Sequence, residues 1–202
     1  MPDPAPTILG ITGVIGSGKS LVGRILEDAG EPVIDTDKVV HELLTNDTPT
    51  RAAVVERFGK DVQREDGAID RPKRARIVFA NDEDRKALEA IVHPAVRAEC
   101  RRRIDAMPDE DVVAVLVPLL FEAGIEEAYD IIWTVVTELP ILRERLRNRD
   151  QLTDEQIDAR LAAQWPQEQK RMLADTVIDN SGTIADTTSI VLAELAAIKR
   201  AR

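Results

Sequence analysis

Residues Gly13 to Ser20, GVIGSGKS, constrain this chain more than any other segment. They meet the spacing G-x-x-x-x-G-K-[ST], with Gly13, Gly18, Lys19 and Ser20 at the fixed positions and Val14, Ile15, Gly16 and Ser17 at the variable ones. Glycines let the backbone turn so that successive N–H groups point inward at phosphate oxygens. A helix after the turn adds its positive N-terminal end. Lys19 can reach the β- and γ-phosphates, the Ser20 hydroxyl can ligate Mg²⁺, and the cradle is expected to run from Gly13 through Leu21. The flanks fit. TILGIT (7–12) reads as a short strand, and Leu21, Val22, Ile25 and Leu26 recur at helical spacing until Gly30. Pro32 to Asp35 reads as a second strand, so the chain opens strand, loop, helix, strand, the start of a parallel sheet.

Beyond Asp37 the pattern turns helical for about 70 residues. Val39, Val40, Leu43 and Leu44 share a face, as do Val54, Val55 and Phe58, then Ile77, Val78 and Phe79, then Leu88, Ile91, Val92 and Val96. A short turn is expected near Ile69. VVAVLV (112–117) and IIWTVV (131–136) are β-friendly apolar runs, the composition of strands buried on both faces. Thr137 is expected to cap a helix reaching Arg149, with Pro140 tolerated in its first turn. Thr153 to Gln156 has the form of a capping box. A break is expected at Pro166, a last strand at 176–179 and a closing helix at 184–199. The expected fold is α/β: a five-stranded parallel sheet in three layers, with a helical insertion and a helical lid. Residues 1–36, 110–136 and 175–202 would form the core, 37–109 the insertion, and 137–174 the lid and its return. Aromatics are only 3% of the chain, so aliphatic side chains must fill the interior.

The net charge is −10, which argues against a nucleic-acid partner. The dense basic run Arg101, Arg102 and Arg103 reads as the solvated face of a helix. The single cysteine, Cys100, cannot form an intrachain disulfide. No apolar run approaches the roughly 18–20 residues that span a bilayer, and the proline-rich start is not a secretion signal, so a cytoplasmic location is expected. The nearest guanine-reading string, Asn148 to Gln151, fails at its last position. VVAVLV ends in Pro118 and not in a carboxylate, which disfavours motor and transport ATPases. A compact kinase for a small acceptor fits better. Asp35 and Asp37 close the second strand, where the sheet faces its ligand crevice. One can take a proton from an attacking hydroxyl and the other can organise Mg²⁺ through its water shell. The alternative for Asp37 is a cap on the next helix. Arg145 and Arg149, spaced i, i+4, could clamp a triphosphate from one helix face.

Taken together, these residues resemble the dephospho-coenzyme A kinase family over about Ile8 to Ala197. The likeness rests on the loop from Thr12 to Ser20, DTD at 35–37 with His41, His93-Pro94 with Arg97, PLLFE at 118–122, RLRNRD at 145–150, and the closing Ala163-Gln164, Ala174-Asp175 and Asp179-Asn180. The chain departs from the family pattern at Val14, where a glycine is usual, at Leu21, where threonine is common, and at Leu142, where a glutamine is common. The resemblance implies ATP and Mg²⁺ as cofactors, dephospho-CoA as small-molecule substrate, and transfer to its ribose 3′-hydroxyl. It implies Asp37 as base, with Lys19, Arg145 and Arg149 stabilising the phosphoryl group. Thr12, Asp35, His41, Arg71, His93, Arg97 and Leu119 become candidate acceptor contacts, and Asn180 a candidate contact to the base or ribose. Three of these have a plainer alternative: a kink at His93-Pro94, surface charge at Arg71 and a turn at Asn180. Glu122 reads either as a carboxylate that supports the site from behind or as a helix start. A monomer or small homo-oligomer is expected. A kinase for another acceptor and a slowly hydrolysing regulatory module are the competing functions.

Overall fold

The buried parallel strands expected from the apolar runs are present in the computed structural model, which describes residues 5–70, 72–74 and 81–201. β1 (Thr7–Thr12), β2 (Val33–Asp35), β3 (Val112–Leu116), β4 (Ile131–Val136) and β5 (Thr176–Asp179) form one parallel sheet in the order β2-β3-β1-β4-β5. β3 is buried along its whole length, and β4 at every residue but its first. A strand covered on both faces must be apolar on both, which is why these runs do not alternate.

The sheet belongs to a unit made of Met1–Ile34 and Met107–Arg202. Its helices are α1 (Lys19–Asp28), α5 (Leu139–Asp150), α6 (Asp154–Ala162), α7 (Gln167–Leu173) and α8 (Ile184–Ala201). Val22, Ile25 and Leu26 of α1 join Val191, Leu195 and Ile198 of α8 in one core with Ile11, Leu116, Trp133 and Ile178 of the sheet. The chain runs from β3 on one side of β1 to β4 on the other, so the loop after β1 lies where the strand order reverses. Open sheets of this class bind ligands at that point, beyond the strand C-termini.

The second unit is Asp35–Ala106. It holds α2 (Thr36–Asn46), α3 (Thr48–Phe58) and α4 (Asp82–Asp105), with an antiparallel bridge, Gln63 to Ile69, at the expected turn. Val39, Leu44, Val54, Leu88 and Val92 are buried in it. Arg103 reaches Glu42 and Glu99, and Arg57 reaches Asp84, so ion pairs tie α2 and α3 to α4. Arg101 and Arg102 pair with Asp105 and Glu99, which accounts for the basic run as a helix face. Arg71 and the apolar group Ile77, Val78 and Phe79 lie outside the described residues.

Candidate active site

The phosphate loop follows β1 directly. Gly13, Gly16 and Gly18 have φ of 147°, 80° and 105°, in the left-handed region that side chains disfavour. At Gly18 the packing is as restrictive as the torsion: a Cβ there would lie 1.9 Å from Asn180 Nδ2. Helix α1 starts at Lys19 with Gly18 as its N-cap, no side-chain cap and no acidic residue in its first turn. Its positive end is therefore left for an external anion. Lys19 Nζ donates to the carbonyls of Gly13 (2.7 Å) and Val14 (3.1 Å), folding the side chain over the loop. Ser20 is exposed in the first turn of α1.

The back of the loop is held by side chains distant in sequence. Ser17 carbonyl accepts from Thr137 Oγ1 (2.9 Å) and Asn180 Nδ2 (2.8 Å). Ile15 N donates to Gln164 Oε1 (2.8 Å). Gln167 grips the backbone of Thr137 at both its N–H and its carbonyl, each at 2.9 Å. Two expectations change here. Thr137 is not a helix cap; α5 begins later, with Glu138 in the N-cap position, and the Thr137 hydroxyl serves the loop. Asn180 does not present its carboxamide to a ligand: the residue is 2% exposed, and its Oδ1 accepts from Thr187 Oγ1 (2.9 Å) while Nδ2 holds Ser17. Each end of the amide has a partner inside the protein.

The front of the loop meets α5 and α6 through apolar contact. Val14 is buried in a cluster with Leu142 and Leu146 of α5 and Ile157 of α6. A Cβ on Gly16 would stand 3.0 Å from Leu146, so this glycine also lets α5 approach. Arg145 donates from Nη2 to Asn180 carbonyl (2.9 Å) and from Nη1 to Thr137 Oγ1 (3.2 Å). Arg149 makes a bidentate pair with Asp150 at 2.8 Å, which raises its pKa further, and it remains largely exposed. Arg143 and Arg147 turn the other way, to Asp154 and Asp158 of α6. The capping box of α6, Thr153 with Gln156, is present as expected.

After β3 the chain runs through Pro118 and the exposed Leu119 to the buried Leu120 and Phe121. Thr12 does not offer its side chain to a ligand: it is fully buried and its hydroxyl donates to Pro118 carbonyl (3.2 Å). Glu122 accepts from Trp165 N (2.8 Å) and pairs with Lys170 Nζ (2.7 Å). Burial pulls the Lys170 ammonium below the ordinary lysine range, while Glu122 opposes that shift.

In the second unit, Asp35 and Asp37 have separate local roles. Asp35, and not Asp37, caps α2: its Oδ1 accepts from Asp37 N (2.9 Å) and Lys38 N (3.4 Å). Asp37 is the acidic residue of the first turn of α2, where the helix dipole favours a carboxylate. His41 lies further along α2 and is exposed. His93 and Arg97 lie four residues apart on α4, which runs on through Pro94; His93 is exposed.

The family model described as dephospho-CoA kinase matches residues 7–186, which spans both units and nearly every segment described above. The chain belongs to the dephospho-CoA kinase family. A dephospho-CoA kinase of Symbiobacterium thermophilum is 44% identical over 91% of this chain and 78% of its own length. One from Carboxydothermus hydrogenoformans is 41% identical over 92% and 91%. Among solved structures, TT1252 of Thermus thermophilus superposes with a TM-score of 0.82 at 35% identity, covering 96% of this chain and 98% of that one. Campylobacter jejuni dephospho-CoA kinase follows at 0.67 and 26%, over 96% and 98%. Dephospho-CoA kinases catalyse the ATP-dependent phosphorylation of dephospho-CoA, the last step of coenzyme A synthesis. Among the described residues no helix is long and apolar enough to cross a membrane.

Two of the departures from the family pattern now have a place. Val14 and Leu142 pack in the same cluster, so α5 rests on the loop through an apolar contact. Gln167 and Lys170 were not legible as site residues, and Thr137 and Gln164 were legible only as a cap and as part of a family signature. Each acts through a partner that sequence spacing does not bring near.

Proposed function

We propose that this chain transfers the γ-phosphoryl group of ATP to the ribose 3′-hydroxyl of dephospho-CoA, with Asp37 as general base. The observation that carries the reading is a phosphate loop braced from behind by Thr137, Asn180 and Gln164, in front of a helix whose N-terminus has no side-chain cap. Preorganised donors of this kind favour charge that develops on a transferring phosphoryl group, at no reorganisation cost. Lys19 leaves the Gly13 and Val14 carbonyls for the β- and γ-phosphoryl oxygens. Arg149 exchanges Asp150 for phosphoryl oxygens, one anion for another. Arg145 adds positive charge beside them. Asp37 accepts the 3′-hydroxyl proton as the oxygen bonds to phosphorus, and the bond to the ADP oxygen breaks. His41, His93, Arg97 and Leu119 are assigned to the acceptor, as is Arg71 by sequence alone.

Mg²⁺ fits the oxygen chemistry available. It takes hard oxygen ligands and keeps several waters, so one exposed hydroxyl, Ser20, is a sufficient protein anchor when phosphates supply the rest. Bound there, the ion neutralises charge on the β- and γ-phosphoryl oxygens. The enzyme is read as cytoplasmic, without a nucleic-acid partner, and a monomer or small homo-oligomer.

A coupled ADP-release assay tests the reading. Turnover is expected with dephospho-CoA, and equal stimulation by AMP, adenosine or shikimate would remove it. Asp37→Asn should keep ATP affinity while lowering kcat by roughly 10²–10⁴, the scale of a lost general base. Near-normal turnover in that variant would strike Asp37 from the role.

A further inference from the structure

We propose that Lys170 is a positioning residue for this reaction, fixing the Pro118–Glu122 loop at the end of β3 so that the loop meets the acceptor in one conformation. The inference rests on the dephospho-CoA reading above. Lys170 is fully buried, which is rare for lysine and costly without compensation. Its compensation is concentrated on one loop. Nζ donates to Pro118 carbonyl (3.1 Å) and lies 2.7 Å and 2.9 Å from the two Glu122 oxygens, at the first and last residues of PLLFE. Trp165 N adds a bond to Glu122 Oε1 (2.8 Å). Pro118 carbonyl is also the acceptor for Thr12 Oγ1 (3.2 Å), and Thr12 is the residue just before the phosphate loop. The ammonium therefore joins the start of that loop, the end of β3 and the lid-return segment.

Between the two anchored ends, Leu119 is held exposed at 42% while Leu120 and Phe121 are buried. An exposed leucine on a loop pinned at both ends is a fixed apolar surface and not a free side chain. β3 lies between β1 and β2 in the sheet, on the side of β1 away from β4 and β5. The phosphate loop itself is braced from the β4 and β5 side, by Thr137 and Asn180. Loss of the Lys170 tether should therefore disturb acceptor binding and leave ATP binding largely intact.

Lys170→Met alone leaves a mostly buried carboxylate without its cation and tests folding as much as function. The decisive variant is Lys170→Met combined with Glu122→Gln, a neutral pair in which the new carboxamide oxygen can still accept from Trp165 N. This double variant should melt close to the parent protein. Its kcat/KM for dephospho-CoA should fall by at least roughly ten-fold, the scale of a misplaced contact, through KM for dephospho-CoA, with KM for ATP within about two-fold. Amide hydrogen exchange should rise across 118–122 and stay unchanged across 13–20. Parent-like kinetics, equal rises in both KM values, or unchanged exchange at 118–122 would each overturn the proposal. A parent protein that ignores dephospho-CoA would defeat the acceptor reading instead, and the exchange comparison would still decide the tether.

Discussion

The unit that carries the phosphate loop and the unit Asp35–Ala106 deploy their polar residues in opposite ways. Around the loop, the side chains that look functional are largely engaged by the protein: Asn180 by Ser17 and Thr187, Thr12 by Pro118, Arg145 by Thr137 and Asn180. These are mostly buried or half-buried hydrogen bonds. In the helical unit His41 and His93 stand exposed, and exposed ion pairs join its helices. On the proposed assignment, phosphates to the first unit and the acceptor to the second, the difference follows from what each unit has to recognise. Phosphates are read by backbone N–H groups, which do not orient themselves, so their neighbours must hold the backbone still. A large acceptor would be read by side chains, which need solvent access before it arrives.

The sharpest way to break this comparison is at Gly18. Alanine there meets both a φ of 105° and Asn180 Nδ2 at 1.9 Å, so the loop has to move. Gly18→Ala should lower kcat/KM for ATP by at least roughly 10²-fold, as when a preorganised electrostatic site loses a donor. A variant with normal ATP kinetics would show that the brace does not matter to the loop. A smaller effect is expected in the helical unit. Arg97→Ala removes a solvent-accessible charge, which is worth about 0.2–1 kcal/mol. It should raise KM for dephospho-CoA by about two- to five-fold while leaving KM for ATP and the melting temperature unchanged. A change in ATP kinetics instead would remove Arg97 from the acceptor side.

What could be read from sequence divides along the same line. The strands were legible because VVAVLV and IIWTVV are apolar at every position but Thr134, and the loop because its glycines carry a spacing. The brace was not. Asn180 and Ser17 are 163 residues apart, Thr137 and Ser17 are 120 apart, and Lys170 and Pro118 are 52 apart. No local pattern encodes such pairs. Thr137 stands just before a helix and so reads as a cap, although the fold gives its hydroxyl an acceptor in Ser17 carbonyl. Asp35 and Asp37 show the reverse error: two carboxylates two residues apart invite either assignment, and only the α2 geometry gives the cap to Asp35. The Lys170–Glu122 pair was hidden because lysine at a helix position reads as solvent-facing.

The smallest expected effect tests whether the exposed ion pairs of the helical unit contribute through charge. Hydrogen bonds from Arg102 and then Arg103 hold the Glu99 carboxyl at about 2, against an ordinary 4.5. A folded-state value below the unfolded one stabilises the fold above the unfolded value and is lost as pH falls through the folded one. The contribution of Glu99 is thus full above about pH 4.5, declines as pH falls, and is gone below about 2. The whole displacement would correspond to roughly 3 kcal/mol. Arg102 is 68% exposed, so solvent screening reduces this to about 0.5–1 kcal/mol. Glu99→Gln should therefore unfold at a lower urea concentration than the parent at pH 7, and the gap should close as the pH is taken toward 2. A gap of the same size at both ends would mean that Glu99 acts through packing and not through its charge.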